Sequence, residues 1–254
     1  MAVNPIELAV RTHQGLVRPG NQDAFRIDAD LGVVVLADGM GGHRSGEVAS
    51  RIAVEAALAD LLPAQREAGG GDGTASLLRV GHAVEVANQA LLDMCQVHPE
   101  LSGMGTTVVV AIFREGRIYH AHVGDSRLYR VRYGRMRRLT RDHSLIQQMI
   151  DDGVFLNRVE AREAGVRDNI LTRSLGMQRQ AEVDVGDSLL EAGDTYLICS
   201  DGLHGMLPDS QIARILRDPH GDLEQQVQEL IDTALAAGGN DNVTAILARP
   251  KLVP

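Results

Sequence analysis

Aromatic residues and lysine are scarce in this sequence, which has no tryptophan, three phenylalanines, four tyrosines and a single lysine, Lys251. Its 34 acidic and 25 basic residues give a formal net charge of -9. A protein that binds nucleic acid through its phosphates needs a basic surface, and base stacking needs aromatic rings. The composition therefore excludes nucleic acid as the main partner.

Cysteine is also rare, because Cys95 and Cys199 are the only two and both lie in apolar stretches. Two such residues cannot build a disulfide framework and are typical of a reducing compartment. The longest apolar runs, Leu31–Ala37 and Val108–Phe113, fall well short of the roughly 18 residues of a membrane-spanning helix. Residues 1–11 lack the basic and apolar regions of a signal peptide. We therefore expect a cytoplasmic protein that does not contact a membrane.

The hydrophobic pattern predicts short strands joined by tight turns, together with three long helices. The links Arg114–Gly116 and Tyr133–Gly134 are too short for a parallel crossover, so the strands that they join must be antiparallel. Helical periodicity covers Glu47–Leu62, Ser76–Cys95 and Leu223–Ala237. Strands are predicted at Ile6–Thr12, Ala24–Ile27, Gly32–Ala37, Thr106–Phe113, Arg117–Val123, Arg127–Arg132, Met136–Thr140, Thr195–Ser200 and Val243–Ala248. These elements indicate the α+β class, with helical layers covering antiparallel sheets.

Five aspartates occur at the mouths of predicted strands: Asp23, Asp38, Asp125, Asp201 and Asp241. A turn is the simpler explanation of any single one, because Asp-Gly is a common turn sequence. Five in one setting favour a shared site. If they converge, two charges about 4 Å apart repel by about 4 kcal/mol at an effective dielectric of ~20, so cations must compensate. Oxygen ligands favour Mg²⁺ or Mn²⁺, whereas Zn²⁺ favours His or Cys.

Other catalytic motifs fail when they are tested on the sequence. Gly41–Gly46 has the glycine spacing of a P-loop, but Glu47 and Val48 follow where Lys and Ser or Thr are needed. There is no Gly-x-Ser-x-Gly nucleophile elbow, and neither cysteine has an arginine six residues later to hold a phosphate. A covalent nucleophile is therefore poorly supported.

Eight segments, taken in order, resemble the metal-dependent PP2C (PPM) family of serine/threonine protein phosphatases, in particular its stand-alone bacterial members. They span nearly the whole chain and comprise Arg18–Asp23, Ala37–Gly42, Gly103–Thr107, Val123–Arg127, Asp142–Ser144, Leu171–Gly176, Ser200–Leu203 and Gly239–Thr244. The resemblance implies a four-layer α-β-β-α sandwich with two central antiparallel sheets. It also implies one catalytic domain over residues 1–254, with a flap around residues 145–170.

The same resemblance assigns metal ligands. It implies that Asp38 bridges two Mn²⁺ or Mg²⁺ ions. The Gly39 carbonyl would join one ion, and Asp201 with Asp241 would complete the other. Asp125, together with Asp201, matches a third metal site of bacterial relatives. Asp23 is implied to reach a metal mainly through water and to help orient the nucleophile.

The activity implied is hydrolysis of phosphoserine and phosphothreonine in proteins phosphorylated by a serine/threonine kinase, carried out by a monomer. A water activated at the binuclear centre would attack phosphorus in line, without a phosphoenzyme. Arg18 would clamp the phosphate oxygens, because a guanidinium presents paired donors in a fixed fork. His43, or a metal-bound water in its place, would protonate the leaving alkoxide.

Two positions depart from the family's pattern. Met40 stands where a His directly follows Asp-Gly in the familiar eukaryotic members, so the role of His43 rests on its place after Gly41 and Gly42. Gln22 replaces the Glu of many relatives, which removes one negative charge beside the metals.

Other polar residues have simpler interpretations. His143 and Ser144 are expected to shape a loop, and His120 and His122 alternate on one strand face, where packing or solvation is expected. Seven arginines between residues 127 and 141 predict a solvated sheet face, with docking of an acidic phosphoprotein as the alternative.

Two further functions stay open at this point. The same metal chemistry could act on small-molecule phosphoesters, or the fold could bind phosphoproteins without turnover. The five aspartates and Arg18 are all present, which argues against the second.

Overall fold

The computed structural model describes residues 6–41, 45–66 and 73–251. His43, the predicted proton donor, lies outside the described residues. Two antiparallel sheets lie face to face, and helices cover the outer face of each. The predicted α+β four-layer sandwich is confirmed. None of the helices in the described ranges is long and apolar enough to cross a membrane.

The strands in the described residues are β1 Ile6–His13, β2 Asp23–Asp28, β3 Val33–Met40, β4 Gly105–Thr106, β5 Val108–Arg114, β6 Arg117–Val123, β7 Arg127–Arg132, β8 Arg135–Arg138, β9 Asp184–Leu189, β10 Thr195–Cys199 and β11 Val243–Pro250. One sheet has the order β2-β3-β5-β6-β9, with β4 paired to β3. The other has the order β1-β11-β10-β7-β8. The strand pairs within each sheet are antiparallel.

The helices in the same ranges are α1 Ser45–Arg66, α2 Gly73–Val97, α3 Leu145–Asp151, α4 Arg158–Glu163, α5 Asp201–His204, α6 Asp209–Ile215 and α7 Leu223–Ala236. A short 3₁₀ turn covers Pro99–Leu101. The three long helices are those that the periodicity predicts. Asp222 caps α7 by accepting from the backbone N–H groups of Glu224 and Gln225, which satisfies donors that have no partner inside the helix.

Side-chain alternation along β3 explains the layers. Val33, Val35 and Ala37 pack toward α1 and α2, while Val34 and Leu36 face the second sheet. Each fully buried Val or Leu contributes roughly 1.5–3 kcal/mol of hydrophobic free energy. β3 is therefore apolar on both faces except in its last three residues, which include an aspartate.

Both short links form the same kind of tight turn. Glu115 and Gly116 have φ of 54° and 70°, and Tyr133 and Gly134 have φ of 50° and 70°. Two successive residues with positive φ are the pattern of a type I′ hairpin turn, which matches the twist of the flanking strands. The antiparallel pairs β5–β6 and β7–β8 follow from these turns.

Candidate active site

Six of the predicted site residues line one cavity of about 190 Å³, at the ends of strands from both sheets. They are Arg18, Asp38, Gly39, Asp125, Asp201 and Asp241, and the cavity is completed by Gln22, Met40, Gly41, Thr107, Asn169, Leu171 and Asn242. Asp23 lies beside the cavity, because it pairs in register with Asp38 across β2 and β3. The aspartates predicted from strand mouths therefore do meet in one place.

The backbone of Asp38 is held from both sides. Its N–H donates to the Thr107 hydroxyl at 3.0 Å. Its carbonyl accepts from the Thr107 N–H at 2.9 Å and from the Thr106 hydroxyl at 2.8 Å. β3 continues two residues beyond Asp38 because Gly39 and Met40 pair with β4, so Asp38 does not end its strand as the sequence suggested. The carboxylate is consequently carried on a rigid element.

Only one of the two carboxylate oxygens of Asp23 has hydrogen-bond partners. Its Oδ2 accepts from the Ser200 hydroxyl at 2.8 Å and from the Thr244 hydroxyl at 2.6 Å. Its Oδ1 is buried and has no hydrogen-bond partner. A buried polar atom without a partner is rare in native proteins and indicates that a water or an ion completes the site.

Asp201 and Asp125 reach the cavity from turns. Asp201 is the first residue of α5, directly after β10, and its side chain lines the cavity with that of Asp38. Asp125 follows Gly124, whose φ of 104° is open to glycine and strained for other residues. The Asp125 carbonyl accepts from Nε2 of His204 at 3.0 Å.

The buried aspartates of the cavity have too little positive charge near them to offset their negative charges. Burial, followed by the charges of neighbouring aspartates, raises the pKa of Asp38 well above its usual range. Burial raises the pKa of Asp23 to about 7, despite the two hydroxyl donors, and that of Asp125 to about 8. Burial and the charge of Asp241 raise the pKa of Asp201 to about 6. Divalent cations would remove this penalty, because they favour the ionised carboxylates.

The residues present fit a hard divalent cation. The cavity is lined by four aspartates and by Gly39, whose carbonyl the resemblance assigns to a metal, and no His or Cys among the described residues lines it. The orphaned Oδ1 of Asp23 and the raised pKa values are independent signs that positive charge is missing there. Oxygen-rich sites of this type suit Mg²⁺ or Mn²⁺.

Arg18 stands at the mouth of the cavity with about half of its side chain exposed. Its Nη2 donates to Oδ2 of Asp241 at 2.6 Å. This pair leaves the other guanidinium N–H groups for an anionic ligand. Arg18 is thus placed where the sequence predicts a phosphate clamp, bonded to one of the predicted metal ligands.

Several residues that support this cavity are not predicted from the sequence. Asn242 accepts from the Gln22 N–H at 2.8 Å and donates to the carbonyls of Gln14 and Gly20, at 2.8 and 2.7 Å, so it ties down the loop that carries Arg18. Ser200 and Thr244 hold Asp23. Each of them adjoins a predicted aspartate or strand in the sequence, but only the fold reveals which partner a hydroxyl or amide meets.

Another group of potential ligands lies outside the cavity. His122, His143 and Asp184 place one ligand atom each within 4.8 Å of one another. Nδ1 of His143 accepts from the Gly124 N–H at 3.1 Å, so its neutral ring carries the proton on Nε2, which faces Asp184. That nitrogen has no lone pair for a metal unless the Gly124 hydrogen bond breaks. We therefore interpret the group as packing, which agrees with the loop-shaping role predicted for His143.

Gly39 provides a test of how tightly the site is built. A Cβ at residue 39 would lie 2.0 Å from the carbonyl oxygen of Gly46 and 2.8 Å from that of Gln22. We expect Gly39→Ala to lower the free energy of unfolding by about 1–3 kcal/mol, as overpacking does. Thermal melts measure this loss. Gly20→Ala is the matched control, because nothing lies within 4 Å of that Cβ, and an equally harmless Gly39→Ala would contradict this packing.

The chain is similar to known proteins over most of its length. The family model of Protein phosphatase 2C matches residues 13–248. The chain is 36% identical to the serine/threonine protein phosphatase PstP of Mycobacterium tuberculosis H37Rv over 243 residues, which cover 96% of this chain and 45% of PstP. It is 34% identical over 253 residues to the serine/threonine phosphatase stp of Listeria innocua, covering 96% of this chain and 95% of stp. The chain thus spans about half of PstP and nearly all of stp.

A solved structure is similar over the same extent. The catalytic domain of PstP, determined in complex with two manganese ions, superposes with a TM-score of 0.82 and 34% identity, covering 98% of this chain and 99% of that one. The resemblance seen in the eight sequence segments is therefore confirmed across the fold. Motifs, acid-lined cavity and whole-chain similarity together place the chain in the protein phosphatase 2C family of serine/threonine phosphatases.

Proposed function

We propose that this chain hydrolyses phosphoserine and phosphothreonine in proteins, using Mn²⁺ or Mg²⁺ held in the aspartate-lined cavity. The observation that carries the proposal is the meeting of Asp38, Asp125, Asp201 and Asp241 with Arg18 around about 190 Å³. The acids can hold metal cations, and the positively charged arginine beside them can bind an anion. This combination suits a phosphate ester as substrate. The names of the relatives, serine/threonine phosphatases, support the same substrate class.

The proposed ligands are those that the family resemblance assigns, and all of them line the cavity. Asp38, the Gly39 carbonyl, Asp201 and Asp241 would hold two ions, and Asp125 with Asp201 would hold a third. When bound, such ions supply Lewis-acid chemistry, which makes water nucleophilic near neutral pH and offsets the charge of the phosphoryl group. The two manganese ions bound to PstP support this stoichiometry for the first two sites.

Side chains of the protein would bind the phosphoryl group, orient the water and protonate the leaving group. Arg18 would bind and orient the phosphoryl oxygens at the cavity mouth, as its exposed guanidinium allows. Asp23, fixed by Ser200 and Thr244 through Oδ2, would direct its unpartnered Oδ1 toward the attacking water. His43 is our proposed donor of a proton to the leaving alkoxide, from its sequence position alone.

The wider context is also proposed. We infer one catalytic domain over residues 1–254, with residues 145–170 as a flap, acting as a monomer in the cytoplasm on substrates of a serine/threonine kinase. Asn169, a flap residue that lines the cavity, supports a role for this segment near the substrate.

The direct test is release of phosphate from a phosphothreonine peptide with and without Mn²⁺. We expect turnover that EDTA abolishes and that exceeds turnover of nucleotides at equal concentration. Absence of phosphate release from any phosphopeptide at saturating Mn²⁺ would contradict the proposed function. Faster hydrolysis of nucleotides than of phosphopeptides would replace it by a small-molecule phosphoesterase.

Arg18→Lys tests the clamp. Lysine keeps the positive charge but loses the planar fork that pairs with two phosphate oxygens. We expect KM for the phosphopeptide to rise about tenfold, the effect of losing one charge-assisted hydrogen bond, with a smaller change in kcat. Arg11→Lys, at an exposed ion pair with Glu224, serves as control. An unchanged KM in Arg18→Lys would exclude Arg18 from phosphate binding.

A further inference from the structure

A fully buried carboxylate lies behind the active-site cavity. Asp142 has no exposed side-chain surface and accepts N–H groups from three arginines. Arg127 donates from Nε and Nη2 at 2.9 and 2.6 Å, Arg138 from Nη1 at 3.2 Å, and Arg158 from Nη1 at 2.6 Å. Four donors thus saturate the two carboxylate oxygens.

The three arginines come from different parts of the chain. Arg127 begins β7, two residues after Asp125, and Arg138 ends β8. Arg158 is the first residue of α4, within the segment 145–170. One buried acid therefore joins that segment to the sheet that contains β7 and β8.

The charges make this junction strong. Burial alone would raise the pKa of Asp142, but the hydrogen bonds and charge of Arg127, with the charge of Arg138, hold it below its usual range. Arg158 is only about a quarter exposed, so its bond to Asp142 is shielded from water and salt. Charge-assisted bonds in such surroundings are stronger than exposed ion pairs, which contribute little.

Arg158 also faces the residues that lead to the cavity. Its Nη2 lies 3.7 Å from Oδ1 of Asp168, and Asp168 directly precedes Asn169. Asn169 is exposed and lines the cavity. Asp142 and Asp168 thus both pair with Arg158, Asp168 also accepts from Arg162, and the backbone links Asp168 directly to Asn169 at the rim of the active site.

We propose that Arg158 is a positioning residue that fastens α4 to Asp142 and so holds Asn169 at the cavity rim, where it contacts the phosphoprotein substrate. The inference rests on the proposed function and deepens it, because it names the part of the chain that contacts substrate beyond the phosphate. Asn169 presents an amide, which can both donate to and accept from a peptide backbone. A small phosphate ester that lacks a peptide would not use this contact.

The test compares Arg158→Gln with Arg158→Lys and with the control Arg137→Gln, which removes the same charge from an exposed residue of β8. Hydrogen exchange of residues 153–169 and steady-state kinetics on a phosphopeptide and on p-nitrophenyl phosphate are measured for each. For Arg158→Gln we expect exchange of that segment to become about tenfold faster, as expected for the loss of a charge-assisted hydrogen bond. The phosphopeptide KM should rise about fivefold, with kcat and p-nitrophenyl phosphate kinetics within about twofold of wild type.

Arg158→Lys should recover part of the phosphopeptide KM, and Arg137→Gln should match wild type. Adding Arg158→Gln to Asn169→Ala should raise KM no further, because the two residues act on one contact. The proposal is overturned if segment exchange and KM of Arg158→Gln equal those of Arg137→Gln. It is also overturned if Arg158→Gln lowers kcat on both substrates equally. Failure of the proposed function would look different, since wild type would then release no phosphate while the exchange data would still report on Arg158.

Discussion

Asp38→Asn is expected to abolish phosphate release and, in the same protein without metal, to raise the melting temperature. Asparagine has nearly the shape of aspartate but cannot supply a negative charge to a cation. Changing a residue that only supports a metal ligand typically reduces activity by about 10–100-fold, so loss of a ligand should exceed about 10³-fold. The stability gain has a separate cause, which is the removal of an acid whose ionised form is disfavoured by burial and by four neighbouring aspartates.

The size of the stability gain follows from the linkage between pKa and folding. Each unit by which the folded-state pKa exceeds the unfolded value corresponds to about 1.4 kcal/mol at a pH where the group is ionised. We expect a gain of about 1–2 kcal/mol, and each kcal/mol shifts the melting temperature of a protein of this size by about 2–4 °C. Asp30→Asn makes the same chemical change on an exposed turn and should alter neither quantity.

The two effects are measured by initial rates in Mn²⁺ and by thermal melts in EDTA. A wild-type rate in Asp38→Asn would remove Asp38 from the metal site. A lower melting temperature without metal would show that the carboxylate stabilises the fold, contrary to the repulsion described above.

Metal-free protein should lose stability as the pH rises from about 6.5 to 8. Asp23 and Asp125 have folded-state pKa values of about 7 and 8, above the usual aspartate value near 3.8, and the pKa of Asp38 is also raised. The folded state therefore binds more protons than the unfolded state in this range, and stability falls with pH wherever that holds. We expect a loss of about 2–4 kcal/mol across the interval.

The lower limit of this interval is set by buried histidines. Burial lowers the pKa values of His120 and His143 to about 4, from an ordinary value near 6.5. Between about pH 4 and 6.5 the unfolded state binds more protons at these residues, so their contribution to stability rises with pH and opposes that of the aspartates. Above about 6.5 the histidines of the unfolded state lose their remaining protons, so their opposing contribution fades and that of the aspartates dominates.

Thermal melts in EDTA and in Mn²⁺ at several pH values from 6.5 to 8 measure this dependence. A cation that binds only the folded state stabilises by mass action and competes with protons for the carboxylates. We therefore expect the curve in Mn²⁺ to lie above the EDTA curve and to separate from it as the pH rises. Parallel curves, or a melting temperature in EDTA that rises over this interval, would contradict the pKa values assigned to the cavity.

Much of the fold was predictable because its central strands and long helices carry strong patterns. β6 and β7 have the predicted bounds, and the helices differ from prediction only at their ends, where caps and fraying decide. β9 was not predicted, since Asp184–Leu189 contains two aspartates and a glycine on an edge strand with little buried surface. α4 and α6 are too short to show periodicity.

The site was predictable in composition but not in its supporting contacts. Acids beside glycine at strand ends can be recognised in the sequence, and six of the predicted residues do line one cavity. The partners of Asp23 lie at Ser200 and Thr244, about 180 and 220 positions later, and no local pattern identifies such pairs. The prediction for His43 lies outside the described residues and stays a prediction.

The arginines between residues 127 and 141 also have partners that the local sequence does not reveal. Alternation predicted a solvated face, and Arg135 and Arg137 are exposed as expected. Arg127 is instead buried against Asp142, and Arg132 pairs with Asp194, a fully buried acid 62 positions later. Ion pairing across the fold withdrew these residues from the surface, which a charge count along the chain cannot reveal.

Anomalous diffraction at the manganese absorption edge, from crystals grown with Mn²⁺, tests the metal centre most directly. We expect at least two peaks within coordination distance of Asp38, Asp201 and Asp241, with Asp23 close enough to share their water. A cavity without peaks at saturating Mn²⁺, or peaks only beside His122, His143 and Asp184, would contradict this expectation.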